Sequence, residues 1–463
     1  MLLFCATAVM AQNVSEDEAK AKAAQFLAKS GKMRKVAAKG NAQLTLAPCD
    51  AENIYVFNVG DDNGYVIVSG DSRTRSILGY GRGHGFDMDK APENMKAWLK
   101  GYGIAISEMK DKVAPKSRKA YTQGDDMSED NETEPYGKAI EPLLKSKWNQ
   151  SEPYNDQCPI YNGERCITGC VATAMAQVLY YWKAPQHWVA SIPAYVAPYD
   201  ARQFVVDETP STRLRWDDMC DTYDEEDNRT EEQKSAVAEL MRCCGQSVKM
   251  MYSPSGSGAV GFLVADALKK YFGFSESSRS VERSEYTISE WEGIIYDNLS
   301  RGIPVPYGGR NEVGGHEFVC DGYDGNGMFH INWGWYGKSD GYFLLNSLNP
   351  SDQGIGSATG ADGYLLSRGM VIGIQPNKGD SPEIPPLCLT YSGKKIENGK
   401  YTRSSSSNKF TNIPINGRFS NTTTETKSFD FGFGIFDKNS GELLSTIYSA
   451  WFKDLETSSG ATK

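Results

Sequence analysis

The chain has 463 residues, 40% of them apolar and 11% aromatic, which suits two or three domains with real cores rather than disorder. A formal net charge of −10 argues against nucleic acid or an anionic membrane surface as partner. No run approaches the roughly 18 apolar residues that span a bilayer, so no membrane span is expected.

Met1 to Ala11 is a short apolar stretch ending Val9-Met10-Ala11 before Gln12, the small-residue pattern of a secretory cleavage site. It lacks a basic n-region and reads as a truncated signal peptide. Ser15-Glu16-Asp17-Glu18 is a capping box and predicts a helix through Phe26 and Leu27 that stops at Gly31. Strands follow at Asn53 to Val59 and Tyr65 to Ser69, joined by the turn signal Gly60-Asp61-Asp62-Asn63-Gly64. Pro92 then opens an amphipathic helix carrying Met95, Trp98, Leu99, Ile104, Ile106 and Met109. Together these make a small α+β domain.

From Lys110 to Glu134 a basic stretch passes into an acidic, polar one that cannot bury apolar surface, as expected of a spacer or a site of propeptide removal. The largest unit runs from Lys138 to about Pro376. Thr230-x-x-Gln233 caps a helix ending at Gly245, and Ser289-x-x-Glu292 caps another ending at Gly302. Strands are then predicted at Pro304 to Tyr307, Glu317 to Cys320, Met328 to Trp333 and Gly341 to Leu345. Helices first and an antiparallel sheet second is an α+β plan. Past Pro382, Pro385 and Pro386, alternation at Phe429, Phe431 and Phe433 before Asn439-Ser440-Gly441 suggests a hairpin of a β-sandwich that has too few strands to close.

Cys170 heads a helical run rich in alanine, with Gly169 just before it allowing a sharp turn into the helix. A thiol at a helix N-terminus meets backbone N–H groups and the macrodipole, which favour the thiolate. Cysteine is also among the most commonly buried residues, and that reading is accepted for Cys243 and Cys244, late in a helix. Of ten cysteines, loss of Cys5 with the signal leaves an odd number, so one free thiol is expected. Cys158, Cys166 and Cys170 lack a paired CxxC frame, so no metal or other cofactor is expected.

The chain has four histidines, and His316 follows Cys170 by 316 − 170 = 146 residues, the order and separation of papain-like hydrolases. Gly314 and Gly315 leave its imidazole approachable by a substrate backbone. His330, between Phe329 and Ile331, reads instead as a packed core residue. If Asp324-Gly325 forms a two-residue type I′ turn, His316 lies opposite Trp333, one step from Asn332. The Asn332 carbonyl would then orient the imidazole, with Trp333 covering the bond. The developing oxyanion needs donors: the Cys170 N–H is one, and the Gln150 side chain, twenty residues ahead, is a second.

Four stretches carry a family resemblance. They are Trp148-Asn149-Gln150-x-x-Pro153-Tyr154-Asn155, Thr168-Gly169-Cys170-Val171-Ala172-Thr173-Ala174-x-Ala176-Gln177, Gly314-Gly315-His316-x-Phe318-Val319 and Asn332-Trp333-Gly334-Trp335-x-Gly337-x-Ser339-Asp340-Gly341. On these the chain resembles the streptopain family of secreted bacterial cysteine peptidases, including interpain-type enzymes. The resemblance implies a papain-like α+β fold with Cys170 as nucleophile, His316 as base, Gln150 in the oxyanion hole, and Asn332 and Trp333 completing the site. It also places Ser257 and Gly258 in a loop lining the substrate cleft, and implies an apolar preference two residues before the cut. Residues 12–135 take the place of the family's inhibitory prodomain and processing linker, 136–376 of the catalytic domain, and 377–463 form a C-terminal module outside the family core.

The expected protein is a secreted virulence-type endopeptidase made as a self-processing zymogen, with protein or peptide substrates and its own prodomain as intramolecular inhibitor. Two further readings are a transglutaminase-like acyl transferase, which uses the same Cys-His chemistry, and a catalytically inactive adhesin or binding protein.

Overall fold

The computed structural model describes residues 13–30, 33, 43–72, 74–111, 136–197, 202–223, 228–283, 286, 288–310, 315–345 and 367–377, together with the strands of the tail. The expected signal segment lies outside these residues, as does the expected linker beyond Asp111. The chain forms two compact units, Met1–Ser381 and Pro382–Lys463.

In the first unit α1 (Glu16–Lys29) begins at the Ser15–Glu18 capping box, both reciprocal bonds being present. It is followed by β1 (Leu44–Ala47), β2 (Ile54–Val59), β3 (Gly64–Ser69), β4 (Ile77–Arg82) and α2 (Glu93–Asp111). Two short antiparallel pairs, β5 (Ile160–Tyr161) with β6 (Glu164–Arg165) and β7 (Tyr195–Val196) with β8 (Val205–Val206), decorate the second half. Its helices are α3 (Cys170–Trp182), α4 (Glu231–Ser247), α5 (Leu263–Phe272) and α6 (Ile288–Ser300). The Thr230–Gln233 capping box starts α4 as expected. Ser289 is not a cap: α6 already includes Ile288, so Ser289 stands inside the helix.

The remaining strands are β9 (Arg279–Glu282), β10 (Val305–Arg310), β11 (Gly315–Tyr323), β12 (Phe329–Asn332), β13 (Gly341–Phe343) and β14 (Ser367–Ile372). One ten-stranded antiparallel sheet runs β1-β2-β3-β4-β13-β12-β11-β10-β14-β9. The N-terminal strands therefore extend the sheet of the later region, joined where Gly81 pairs Gly341, Tyr80 pairs Tyr342 and Gly79 pairs Phe343. A Cβ on Gly341 would collide with the Tyr80 carbonyl, so this edge-to-edge approach depends on glycine.

Strand alternation sorts the core into two layers. Tyr307, Phe318, Cys320, Phe329 and Ile331 face a layer that includes Met95, Trp98 and Tyr102 of α2 and Trp291 of α6. Val319, Val371 and Ile374 face the other, with α3, α4 and α5. Helix α3 is buried from Val171 through Leu179, and the small Ala172, Ala174 and Ala176 allow close neighbours. In the second unit β15 (Leu389–Lys394), β16 (Asn416–Asn421) and β19 (Gly460–Thr462) make one sheet. A long hairpin of β17 (Lys427–Phe436) and β18 (Leu443–Leu455) includes the expected phenylalanine alternation.

Candidate active site

Gly169 turns the chain into α3 at φ +87°, where an L side chain is strained. A Cβ there would also lie 2.8 Å from the Met250 sulfur and 2.9 Å from the Ser257 carbonyl. Cys170 is the first residue of α3 and keeps partial exposure. Its thiol is not lowered as the helix N-terminus alone would suggest. Burial pushes it up to about 11, and the Glu317 carboxylate adds to that, against the N–H groups of Glu317, Val171 and Cys170. Desolvation outweighs the helix-terminal field, which disfavours the thiolate in this form.

His316 lies on β11 opposite Gly309 of β10. It shares its face with Phe318, which packs on Trp98 of α2. Burial pushes its imidazole below the ordinary histidine value, and the Glu93 carboxylate at the start of α2 acts the other way. The neighbouring Glu317 faces Cys170 instead. Among the described residues no hydrogen bond or electrostatic interaction joins Cys170 to His316, so the expected thiol–imidazole contact is not made.

Asn332 does not orient His316 here. Its side-chain carbonyl accepts from Gln177 Nε2 at 3.1 Å and from the Gly334 N–H at 3.0 Å, and its amide donates to the Ser146 carbonyl at 2.9 Å. Gln177 in turn accepts from Ser146 Oγ at 3.0 Å. The expected register was wrong for a physical reason. Asp324 Oδ1 accepts from the Asn326 and Met328 N–H groups, making a turn longer than two residues. With a bulge between Cys320 and Gly322, Asn332 pairs Val319, and His316 lies beyond the pairing with β12.

Trp333 is 1% exposed, and its indole N–H donates to the Ser339 carbonyl at 3.0 Å. Its own carbonyl accepts from Asn94 Nδ2 at 2.9 Å, and its ring meets those of Trp98 and Phe318. Gln150 is half-buried, and its backbone carbonyl accepts from the Thr168 N–H at 3.1 Å, two residues before Cys170. The buried Trp148 anchors the same segment by donating to the Cys220 carbonyl at 2.9 Å.

Ser257 lies against this turn: its hydroxyl donates to the Ile167 carbonyl at 2.7 Å and accepts from the Ser253 N–H. Gly258 forms a backbone bridge with Met251, and Gly315 pairs with Arg310. Thus Gln150, Cys170, Ser257 and Glu317 gather around the start of α3, while His316 and Trp333 face α2. His330 is not a plain packing residue, since its Nδ1 lies 2.6 Å from Asp321 Oδ1. Burial opposes its charge, but the Asp321 carboxylate prevails and raises its pKa.

Four residues take structural roles at the site that the sequence alone does not assign them. Gln177 lies seven residues after Cys170 within the buried stretch of α3, and a buried glutamine there signals a polar network. Glu317 occupied a variable motif position. Asn94 and Trp98 carried no local signal of contact with Trp333. All eight described cysteines are free thiols, so the expectation of one unpaired thiol is not met among them.

The Peptidase C10 family profile matches residues 148–343, and that of the Spi protease inhibitor matches 11–106. The chain is 34% identical to streptopain of Streptococcus pyogenes over 385 residues, covering 78% of this chain and 92% of that protein. It is 31% identical over 402 residues to the thiol protease/hemagglutinin PrtT of Porphyromonas gingivalis, covering 83% of this chain but 44% of that longer protein. A solved fragment of Prevotella intermedia prointerpain A, carrying a cysteine-to-alanine mutation, superposes with a TM-score of 0.59 at 31% identity, covering 72% of this chain and all of the fragment. The chain therefore belongs to the streptopain-like Peptidase C10 family, as a cysteine endopeptidase made as a zymogen behind an N-terminal prodomain of the Spi inhibitor kind.

Proposed function

We propose that Cys170 is the nucleophile and that residues 13–111 hold the enzyme latent by keeping His316 away from it. The observation that carries this reading is the facing of His316 toward Glu93, on the same side as the Asn94 and Trp98 contacts to Trp333. Removing α2 frees that face and lets the imidazole turn to the thiol. The Cys170 proton then passes to His316, and the thiolate attacks the scissile carbonyl. The Cys170 N–H and the Gln150 amide stabilise the oxyanion. His316 returns the proton to the departing amine, leaving a thioester. Water attacks that thioester, losing its proton to His316, and the carboxylic product leaves with the thiol restored.

Asn332 acts by fixing the end of β12 to α3 through Gln177, and Trp333 covers the imidazole. The Ser257–Gly258 backbone and Gly315 flank the bound peptide. The apolar Met1 to Ala11 stretch supports secretion, with no described helix long and apolar enough to cross a membrane. Incubating the processed enzyme with a peptide, with and without a primary amine, tests the reaction. Hydrolysis that persists with added amine and vanishes in Cys170→Ala is expected. Predominant amine incorporation would make the protein an acyl transferase instead.

A further inference from the structure

Adjacent residues of a strand point to opposite faces, and β11 sets His316 and Glu317 apart in this way. His316 holds the side of α2, toward Glu93, while Glu317 holds the side of the thiol, its N–H directed at the Cys170 sulfur. Glu317 is 8% exposed and lies opposite Gly308 of β10, where its carboxyl fills the space a side chain would need. From another side, a Cβ on Gly261 would lie 2.8 Å from its Oε2. The titratable side chain facing it is therefore Cys170 of α3, and β10 and the segment at 261 present glycine. Among the described residues no lysine, arginine or histidine pairs with the carboxyl, and burial pushes it up to about 8, which favours the neutral acid.

His316 can meet Cys170 only if the start of β11 reverses its faces. Glu317 must then leave the thiol in the same movement, because neighbouring residues of an extended strand do not share a face. Gly314 and Gly315 precede the pair in sequence, and Gly308 and Gly309 lie opposite it, so few β-carbons resist a local reversal. Cys170, Gly261 and Gly308 all lie outside the prodomain, so its loss does not by itself uncover Glu317.

We propose that Glu317 is an autoinhibitory residue, occupying the thiol side of β11 in the zymogen and changing places with His316 on activation, its carboxylate passing into water on the face that α2 leaves. This rests on the reading of Cys170 and His316 as the catalytic pair and names the side chain that must give way to it. The exchange is coupled to a proton. The latent form holds that proton more tightly than a solvated carboxyl of ordinary value 4.5 does. Latency from this source is therefore complete below about 4.5 and weakens as pH rises toward about 8, the proton going to water.

Carboxyl labelling with a water-soluble carbodiimide and glycinamide, read by mass spectrometry, tests the exchange. Glu317 should be protected in the intact Cys170→Ala zymogen and label at least roughly tenfold faster in the processed wild-type enzyme. Glu239 of α4, bonded to Thr212 at 2.8 Å, is the control and should change little. A Glu317 that stays protected in a processed enzyme that hydrolyses peptides overturns the proposal, because His316 would have reached the thiol without displacing it. A processed enzyme that hydrolyses none overturns the catalytic pair itself. In a second arm, the self-processing rate is divided by kcat/KM of the processed form of the same variant, from about pH 5.5 to 7.5. Across that interval wild type should gain at least roughly tenfold more than Glu317→Gln, and equal gains overturn the proposal.

Discussion

Trp98 of α2 stands edge-on to Trp333, ring centroids 6.0 Å apart at 68°, so a prodomain residue fills the surface of a residue assigned to the catalytic site. Trp98 also meets Tyr307 and Phe318, one residue pair of adjacent strands. Truncating such a buried tryptophan typically costs about 3–5 kcal/mol. Trp98→Ala should lower the melting temperature of the zymogen and shorten the lag before processing. Differential scanning fluorimetry and a gel time course read the two effects. A destabilised zymogen whose lag is unchanged would separate Trp98 from latency.

Asn332 and Gln177 form the second test. Asn332→Ala leaves the buried Gln177 amide and the Gly334 N–H without their shared acceptor, a loss of about 1–3 kcal/mol. Urea unfolding in a Cys170→Ala background measures this without self-cleavage. A variant as stable as its parent would show that the network does not hold β12 to α3.

Glu317 gives a pH dependence of definite sign. Its folded value, raised to about 8 from 4.5, means that the folded protein holds this proton more tightly than the unfolded chain. Its contribution is therefore complete below about 4.5 and is lost as pH rises through about 8. Between pH 6 and 9 the Cys170→Ala zymogen should lose stability, and adding Glu317→Gln should reduce that loss by on the order of a few kcal/mol at most. Parallel pH profiles of the two proteins would contradict the buried, unpaired carboxyl.

Gln150 reaches the site through the bond from the Thr168 N–H to its own carbonyl, a main-chain contact that survives side-chain truncation. Gln150→Ala should fold normally yet lose at least roughly a hundredfold in kcat, the usual effect of removing one oxyanion donor. Near-normal turnover would take Gln150 out of the mechanism.

Local signals were read well from the sequence: the capping boxes at Ser15 and Thr230, the glycine before Cys170, and the strands around His316 are all found. What failed depended on geometry between elements. The two-residue turn at Asp324-Gly325 was expected from its composition, but the Asp324 side chain caps a longer loop, and the register moved with it. The helix-terminal setting of Cys170 predicts an acidic thiol, yet burial beside Glu317 reverses the sign. Contacts such as Asn94 to Trp333 join residues 239 apart, and no local pattern records them.

The most direct test of Cys170 as the nucleophile of a self-activating zymogen is parallel expression of the chain and of Cys170→Ala. Mass spectrometry should show the 51.0 kDa protein lose its first 120 to 140 residues, roughly the prodomain and linker, only when the thiol is present. Identical trimming of both proteins, with no thiol-dependent hydrolysis of an added peptide, would contradict it.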